Sequence, residues 1–161
     1  MYGNKTGKAY QVNVTTYESV EAAVDEIVKE FDGRLDIFVA NSGIAWEEGP
    51  FLDGPLQTME KVMKVNVDGT FYCARAAALH WRRQKAEGTT IDGRKLENYL
   101  TGSFICTASM SGHIMNIPQM QTVYNASKAA VIHACESLGS SSLLPPSPFR
   151  LCFYQSLVER L

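Results

Sequence analysis

Apolar residues recur at helical spacing over residues 15–31, TTYESVEAAVDEIVKEF. Thr15 and Glu18 match the S/T-x-x-E pattern of a capping box, so a helix is predicted to start here, and Gly33 is predicted to end it. The apolar residues that share one face of this predicted helix are Val20, Val24, Ile27, Val28 and Phe31.

Two short segments beside this helix have the character of strands. Residues 8–14, KAYQVNV, alternate weakly, and residues 35–40, LDIFVA, are almost entirely apolar. The second pattern is typical of a strand that is buried on both faces of a parallel sheet. Strand, helix and strand in this order predict one βαβ unit.

The chain continues to alternate between helical and strand patterns. Residues 54–85 are interpreted as a long helix that Asn66 interrupts, and residues 87–102 as a surface loop because they lack a sustained period. A strand is predicted at 103–109 and a third long helix at 122–138. Together these elements predict a doubly wound α/β fold.

The end of the chain has a different composition. GSSSLLPPSPFRLCFYQSLVERL opens with a serine run and carries three prolines in four positions. Proline at this density cannot continue a helix or supply a central strand. We therefore predict a main domain over residues 1–138 and an atypical Ser/Pro-rich tail over 139–161 that is not a further βαβ unit.

Composition and charge exclude several classes of protein. The 161 residues are 45% hydrophobic and carry a net charge of −2, which fits one globular domain and gives no reason to expect a nucleic-acid or membrane partner. The polar start MYGNKTGKAY is not a signal peptide, and no apolar run reaches the ~18 residues of a membrane span. We expect a cytoplasmic protein with no metal site and with buried thiols, since no CxxC pair occurs among Cys73, Cys106, Cys135 and Cys152.

Candidate proton-transfer chemistry lies in SMSGHIMNIPQMQTVYNASK, residues 109–128. Tyr124 and Lys128 are four residues apart, so they share one face of a helix. A neighbouring ammonium lowers the pKa of a phenol from about 10 towards neutrality, which suits acid–base catalysis. Ser111 follows the strand at 103–109, at the sheet edge where open α/β folds bind ligands, and can hydrogen-bond a substrate oxygen there.

Two further stretches, ANSG (40–43) and KVNVDGTFY (64–72), complete a recognisable set with YNASK and its upstream serine. From about residue 2 to residue 138, the chain resembles the short-chain dehydrogenase/reductase family. It looks closest to the fungal branch of NADP-dependent mannitol dehydrogenases and sorbose reductases. The resemblance implies a Rossmann-like sheet and NADP(H) rather than NAD(H) as cofactor. It also implies a sugar or polyol substrate that is interconverted between carbonyl and alcohol.

The resemblance also implies roles for four catalytic residues. Tyr124 would be the general acid that protonates the carbonyl oxygen, and Lys128 would lower its pKa and hold the nicotinamide ribose. Ser111 would orient the substrate oxygen. Asn66 would hold a water that extends a proton relay past the lysine.

Three more residues match the family's cofactor-binding positions, and Tyr124 and Lys128 are also counted as cofactor-binding. Asn41 and Gly43, in ANSG, would pack against the adenosine side of the cofactor. Asn13 stands where the family usually has an aspartate that contacts the adenine, so this contact is altered.

The family's glycine-rich pyrophosphate turn has no counterpart here, since Gly3 and Gly7 lack a preceding strand and the right spacing. The resemblance therefore implies a partial sheet that lacks the first two strands and the C-terminal strands of the family. In such a sheet the strand at 8–14 has no partner in its usual place, and the strand at 35–40 exposes an edge.

Two hypotheses of different classes stay open. The first is a reductase with an intact catalytic tetrad; the second is a catalytically inactive remnant or interaction module that binds no cofactor. The helices at 54–85 and 122–138 match those through which the family assembles, so a homo-oligomer is expected. Serine hydrolysis through Ser111 is disfavoured, because no G-x-S-x-G elbow is present and His113 lies on the same loop. The two other histidines, His80 and His133, are interpreted as packing or surface residues.

Overall fold

The computed structural model describes residues 7–115, 117–141 and 149–154. Three parallel strands form one sheet in the order β1, β2, β3, with Ile37 opposite Ser103 and Gly102 opposite Phe149. The predicted α/β class with a parallel sheet is confirmed. The strands are β1 Ile37–Ala40, β2 Gly102–Thr107 and β3 Phe149–Tyr154.

Within the ranges that the structure describes, four α-helices and two short helical turns connect and cover these strands. The predicted helix over 54–85 is two helices separated by a π-helical turn around Asn66, so the predicted interruption is confirmed. The bounds are α1 Tyr17–Glu30, α2 Leu56–Met63, the π-turn Lys64–Asp68, α3 Gly69–Glu87, the 3-10 turn Met110–Gly112 and α4 Thr122–Ser141.

The predicted capping box at the start of α1 is wrong. Thr16 is the N-cap residue and its side chain makes no capping hydrogen bond. The Thr15 hydroxyl donates instead to Asn13 Oδ1 at 2.8 Å, which also accepts the Thr15 N–H at 3.0 Å. An Asx turn therefore competes with the pairing of Thr15 and Glu18. Gly33, at φ +69°, follows the helix end as predicted.

Residues 8–14 are irregular, so the strand predicted there is wrong. This segment lies against helices rather than beside a strand. The Tyr10 hydroxyl hydrogen-bonds Glu30 of α1, and a Cβ placed on Gly69 of α3 would lie 3.2 Å from the Val14 carbonyl oxygen. A weak alternating pattern forms a strand only where a neighbouring backbone completes its hydrogen bonds. The backbone groups within a helix are already bonded to one another, so the adjacent helices cannot supply these bonds.

The sheet is covered on one face. Phe104 and Cys106 of β2 are buried under the helices, whereas Ile37 and Val39 of β1 are 61% and 55% exposed. The predicted burial of this strand on both faces is therefore wrong, and its predicted exposed edge is confirmed within the described sheet. The buried core residues are Val20, Val24, Val28, Ala40, Cys73, Ala76, Ala77, Trp81, Phe104, Cys106, Val131 and Cys135.

Trp81 and Gln84 of α3 attach that helix to the start of β1. Gln84 is fully buried, accepts the Leu35 N–H at 2.7 Å and donates to the Leu35 carbonyl at 2.8 Å. The Trp81 indole donates to the same carbonyl at 3.1 Å. A Cβ on Gly102 would lie 2.1 Å from the Trp81 ring, so only glycine fits there without a shift.

The expectation that residues 139–161 contribute no strand is wrong, because β3 lies within them and pairs in parallel with β2. Its sequence, FRLCFY, follows the prolines and contains none, so no backbone N–H donor of the sheet is lost.

The division into a domain at 1–138 and a tail at 139–161 stays a prediction. The predicted loop between α3 and β2 is confirmed. Residues 139–141 of the predicted tail are the last residues of α4, whereas Gly3 and residues 142–148 and 155–161 lie outside the described part of the chain.

Three of the cysteines are buried in the core. The sulfur atoms of Cys106 of β2 and Cys135 of α4 meet in this core, where their Cα atoms are 7.4 Å apart, and the predicted burial of both cysteines is confirmed. Cys73 is a free thiol, and burial raises its pKa to about 11. The helices described here include none that is both long and apolar enough to cross a membrane.

Candidate active site

The π-turn Lys64–Asp68 buries Asn66, which is 1% exposed. The Gly69 N–H reaches back to the Lys64 carbonyl, and the Thr70 hydroxyl donates to the Asn66 carbonyl at 2.7 Å. An extra residue in a helical turn rotates the side chains that follow it, and such turns are frequent at functional sites. Here the turn directs the Asn66 amide inward.

The Asn66 amide holds the segment that follows β1. Its Oδ1 accepts the Ile44 N–H at 2.8 Å, and its Nδ2 donates to the Ile44 carbonyl at 2.9 Å and to Ser127 Oγ at 2.9 Å. The reversed amide would place donor against donor at Ile44, so these contacts fix which atom is oxygen. Asn66 therefore joins the segment after β1 to α4.

Lys128 of α4 is buried and reaches the carboxyl end of β2. It is 5% exposed, and its Nζ donates to the Thr107 carbonyl at 2.7 Å. Burial lowers the pKa of Lys128, because removing the ammonium from water disfavours its charged form. The Lys128 amine thus sits at the sheet edge where parallel strands end.

Tyr124 lies one helical turn before Lys128, and the lysine Nζ is 5.7 Å from the centroid of its ring. The predicted shared face is confirmed by this contact. The ring is half-buried and packs against a small cluster that contains Trp46 and Val62. Tyr124 therefore stands between the buried amine and an apolar wall.

Ser111 lies in the 3-10 turn after β2 and is 7% exposed. Its N–H donates to Ser109 Oγ at 3.2 Å, which caps the turn. A Cβ on the next residue, Gly112, would lie 2.8 Å from the Lys128 carbonyl carbon. The turn that carries Ser111 is therefore pressed directly against the helical turn of Lys128.

Gly43 is where the predicted residues converge. A Cβ at this exposed glycine would lie 3.3 Å from Asn66 Oδ1 and 3.4 Å from Lys128 Nζ. Asn41, two residues earlier, accepts the Thr107 hydroxyl at 2.7 Å. Gly43, Asn66 and Lys128 thus border one small space at the carboxyl ends of β1 and β2.

Asn13 is not brought into this group by any contact of the described residues. Its Oδ1 bonds Thr15, and its N–H donates to Ser19 Oγ at 3.0 Å. Asn13 therefore holds the turn that precedes α1. Its predicted adenine contact stays a prediction, as do the chemical roles of the other six predicted site residues.

Three contributors to the site were missed by the sequence reasoning. Ser127 bonds Asn66, the Thr107 carbonyl holds Lys128, and Gly112 lets the Ser111 turn approach α4. A backbone carbonyl carries no sequence signal. Ser127 and Gly112 each adjoin a candidate residue, and that adjacency was the available signal.

His80 and His133 lie apart from this group, whereas His113 directly follows the 3-10 turn that carries Ser111. His80 Nε2 contacts Asp25 at 2.8 Å between α3 and α1, and the His133 side chain is 84% exposed. These positions agree with packing and surface roles. The described residues contain no group of three or more His, Cys, Asp or Glu that could hold a metal ion.

A family model described as enoyl-(acyl carrier protein) reductase matches residues 2–142. The chain is 64% identical over 137 residues to an L-xylulose reductase of Hypocrea jecorina, covering 85% of this chain and 47% of the relative. It is 40% identical over 139 residues to an NADP-dependent mannitol dehydrogenase of Alternaria alternata, covering 86% and 46%. The chain thus spans about half the length of the curated relatives that it matches.

Solved structures show the same relationship. An NADPH-dependent 3-quinuclidinone reductase from Rhodotorula rubra superposes with a TM-score of 0.72 at 38% identity, covering 89% of this chain and 47% of that one. A short-chain type dehydrogenase/reductase from Mycobacterium marinum gives 0.70 at 35% identity, covering 83% and 47%. The predicted Rossmann-like architecture is confirmed by these neighbours.

Proposed function

The chain belongs to the short-chain dehydrogenase/reductase family, and from this membership we propose that it serves the NADP(H)-dependent interconversion of a carbonyl and an alcohol on a ketose or polyol. The observation that carries the proposal is the placement of a buried ammonium beside a phenol. Lys128 Nζ lies 5.7 Å from the Tyr124 ring centroid and is held by the Thr107 carbonyl.

In the reducing direction, Tyr124 Oη gives its proton to the carbonyl oxygen of the substrate while the carbonyl carbon accepts a hydride. The products are an alcohol and a tyrosinate that must regain a proton. Lys128 stabilises that tyrosinate, since a nearby positive charge favours the phenolate. Ser111 donates a hydrogen bond to the same substrate oxygen and holds it in reach of Tyr124.

A nicotinamide cofactor would supply the hydride when bound, and the residues present fit such a group. The fit rests on Gly43, where a side chain would fill the space beside Asn66 Oδ1 and Lys128 Nζ. Lys128 and Tyr124 would hold the nicotinamide ribose, and Asn41 and Gly43 would line the adenosine side. The relatives named for NADP support the choice of NADP(H).

The substrate class is taken from relatives whose names refer to sugars or polyols, among them the L-xylulose reductase and a sorbose reductase of Candida albicans. The half-buried Tyr124 ring packs against the cluster that contains Trp46, so one side of the space proposed for the substrate oxygen is apolar. A cytoplasmic location belongs to the same proposal.

We assign homo-oligomer formation to the outer face of α3. A cavity of about 540 Å³ lies between α3 and the end of α4, and it is mostly apolar. Phe71 on this face is 44% exposed. A second copy that covers this face would remove the exposed apolar surface from water. The α3 residues that line the cavity include Phe71, Ala74, Arg75, Ala78, Leu79 and Arg82.

The test is titration of the purified chain with NADPH, followed by fluorescence of the reduced nicotinamide, and then by its oxidation in the presence of L-xylulose, sorbose or fructose. Saturable binding with turnover of at least one ketose is the expected result. A folded chain that neither binds NADPH nor oxidises it would overturn the proposal in favour of an inactive relative.

A further inference from the structure

Ser127, which has no role in the catalytic assignment, lies at the centre of a buried hydrogen-bond chain. The residue is 0% exposed. Its Oγ accepts from Asn66 Nδ2 at 2.9 Å and donates to the Tyr124 carbonyl at 2.7 Å. A serine hydroxyl in a helix commonly bonds the carbonyl three or four residues earlier, but here it also receives a donor from another helix.

The proton positions in this chain follow from its end points. Asn66 uses one amide hydrogen for the Ile44 carbonyl and the other for Ser127. The Tyr124 carbonyl can only accept, so the Ser127 hydroxyl must donate to it and keep a lone pair for Asn66. Every donor in the chain has one acceptor, and no second arrangement satisfies all of them.

Three separate elements meet through this chain. Asn66 lies in the π-turn, Ile44 follows β1, and Ser127 lies in α4 between Tyr124 and Lys128. The helical turn that carries the phenol and the amine is thereby tied to the segment that carries Gly43. Polar contacts inside a dry core lock geometry strongly, because breaking one leaves a buried group without a partner.

We propose that Ser127 is a positioning residue, whose hydroxyl fixes the turn of α4 from Tyr124 to Lys128 against Asn66 and the segment after β1. It touches neither substrate nor cofactor. Its effect on catalysis rests on the proposed function, whereas its effect on the placement of Lys128 does not.

The full chain with lysine labelled at 13Cε reports on the Lys128 amine by NMR titration, with Lys128→Met identifying its signal. Ser127→Ala removes both hydrogen bonds. Ser127→Cys keeps the approximate shape with a weaker donor and acceptor, and serves if the alanine variant does not fold. Thr90→Val is the matched control, since the Thr90 hydroxyl is also buried but accepts the Arg94 N–H in the loop after α3.

The expected result is a Lys128 titration in Ser127→Ala that moves up towards the ordinary value of 10.5, because a loosened turn admits water to the amine. Ser127→Cys is expected to move the Lys128 titration less, and Thr90→Val is expected not to move it.

In turnover assays kcat should fall about tenfold in Ser127→Ala, because Tyr124 and Lys128 are less well positioned, with a smaller change in KM. A folded Ser127 variant with an unchanged Lys128 titration overturns the inference, whereas wild-type protein without NADPH turnover overturns only the proposed function.

Discussion

The Lys128 Nζ atom lies 5.7 Å from the Tyr124 ring centroid and donates a 2.7 Å hydrogen bond to the Thr107 carbonyl at the end of β2. The four-residue spacing places both side chains on one face of α4, and the strand end then fixes the amine. The lysine is held where it can act on the phenol instead of extending into water.

Tyr124→Phe removes the proposed proton donor and retains the ring. NADPH-dependent ketose reduction should fall by roughly 10²- to 10⁴-fold, the usual contribution of general acid catalysis, while NADPH binding persists. The measurement is initial velocity at saturating ketose together with a cofactor titration. Tyr17→Phe is the control, because its hydroxyl bonds Glu21 on α1, outside the site. An active Tyr124→Phe variant would contradict the assignment.

Lys128→Met keeps the length of the side chain and removes its charge. In the wild type the pKa of Lys128 is lowered in the folded state, so the unfolded chain binds more protons just below the unfolded value of 10.5. The free energy of unfolding contributed by this group therefore rises with pH as 10.5 is approached from below. Urea unfolding across alkaline pH should show this rise in the wild type and a smaller one in Lys128→Met.

The same variant should lose reductase activity at every pH, with Lys61→Met, at an exposed position of α2, as a control that removes a charge but keeps activity. An identical pH dependence of unfolding in wild type and Lys128→Met would show that the lysine is not buried in solution.

The parts of the fold that were predictable depend on local spacing. The helix that carries Tyr124 and Lys128 needs only its own hydrogen bonds, and its periodicity is visible in one sequence. Strands depend on partners far along the chain. Residues 8–14 alternate but have no strand beside them among the described residues, whereas Phe149–Tyr154 follows a proline-rich stretch and still pairs with β2. Neither outcome is encoded locally.

The site shows the same limit. Tyr124, Lys128 and Ser111 could be proposed from side-chain chemistry and from the family resemblance. The Thr107 carbonyl that holds Lys128 is a backbone group that any residue supplies, so its identity carries no information. The buried contact between Asn66 and Ser127 joins residues 61 positions apart, and only the packing of α4 on the π-turn brings them together.

Gly43→Ala tests the space proposed for the cofactor. The new Cβ would lie 3.3 Å from Asn66 Oδ1 and 3.4 Å from Lys128 Nζ, which is tight but not a severe clash. We expect a loss of stability below about 1 kcal/mol but a rise of about tenfold or more in the Kd for NADPH, equivalent to about 1.4 kcal/mol. Gly7→Ala is the control, since nothing lies within 4 Å of its Cβ position. Equal NADPH affinity in both variants would place the cofactor elsewhere.

Asn66→Ala removes three hydrogen bonds at once and leaves both backbone groups of Ile44 without this partner. Each buried group left without a partner costs about 1–3 kcal/mol, so the free energy of unfolding should fall by roughly 2–4 kcal/mol in total. Asn125→Ala is the matched control in α4, because its buried Oδ1 has no partner among the described atoms. Urea unfolding of both variants gives the comparison, and losses of similar size would contradict the network.

Gly112→Ala tests the contact between the Ser111 turn and α4. Its Cβ would lie 2.6 Å from the Ile132 side chain and 2.8 Å and 2.9 Å from the backbone at Lys128 and Ala129. A helix backbone cannot yield as a side chain can, so the turn must move away, with an overpacking cost of about 1–3 kcal/mol. Because Ser111 moves with the turn while Tyr124 and Lys128 stay in place, kcat for ketose reduction should fall by about 10²-fold, with NADPH affinity much less affected.

Gly88→Ala is the control for a general loss of stability. Its Cβ would lie in open space after α3, but its φ of +66° makes the substitution strained at a position far from the site. Unchanged kcat in folded Gly112→Ala would mean that Ser111 does not depend on this contact for its position.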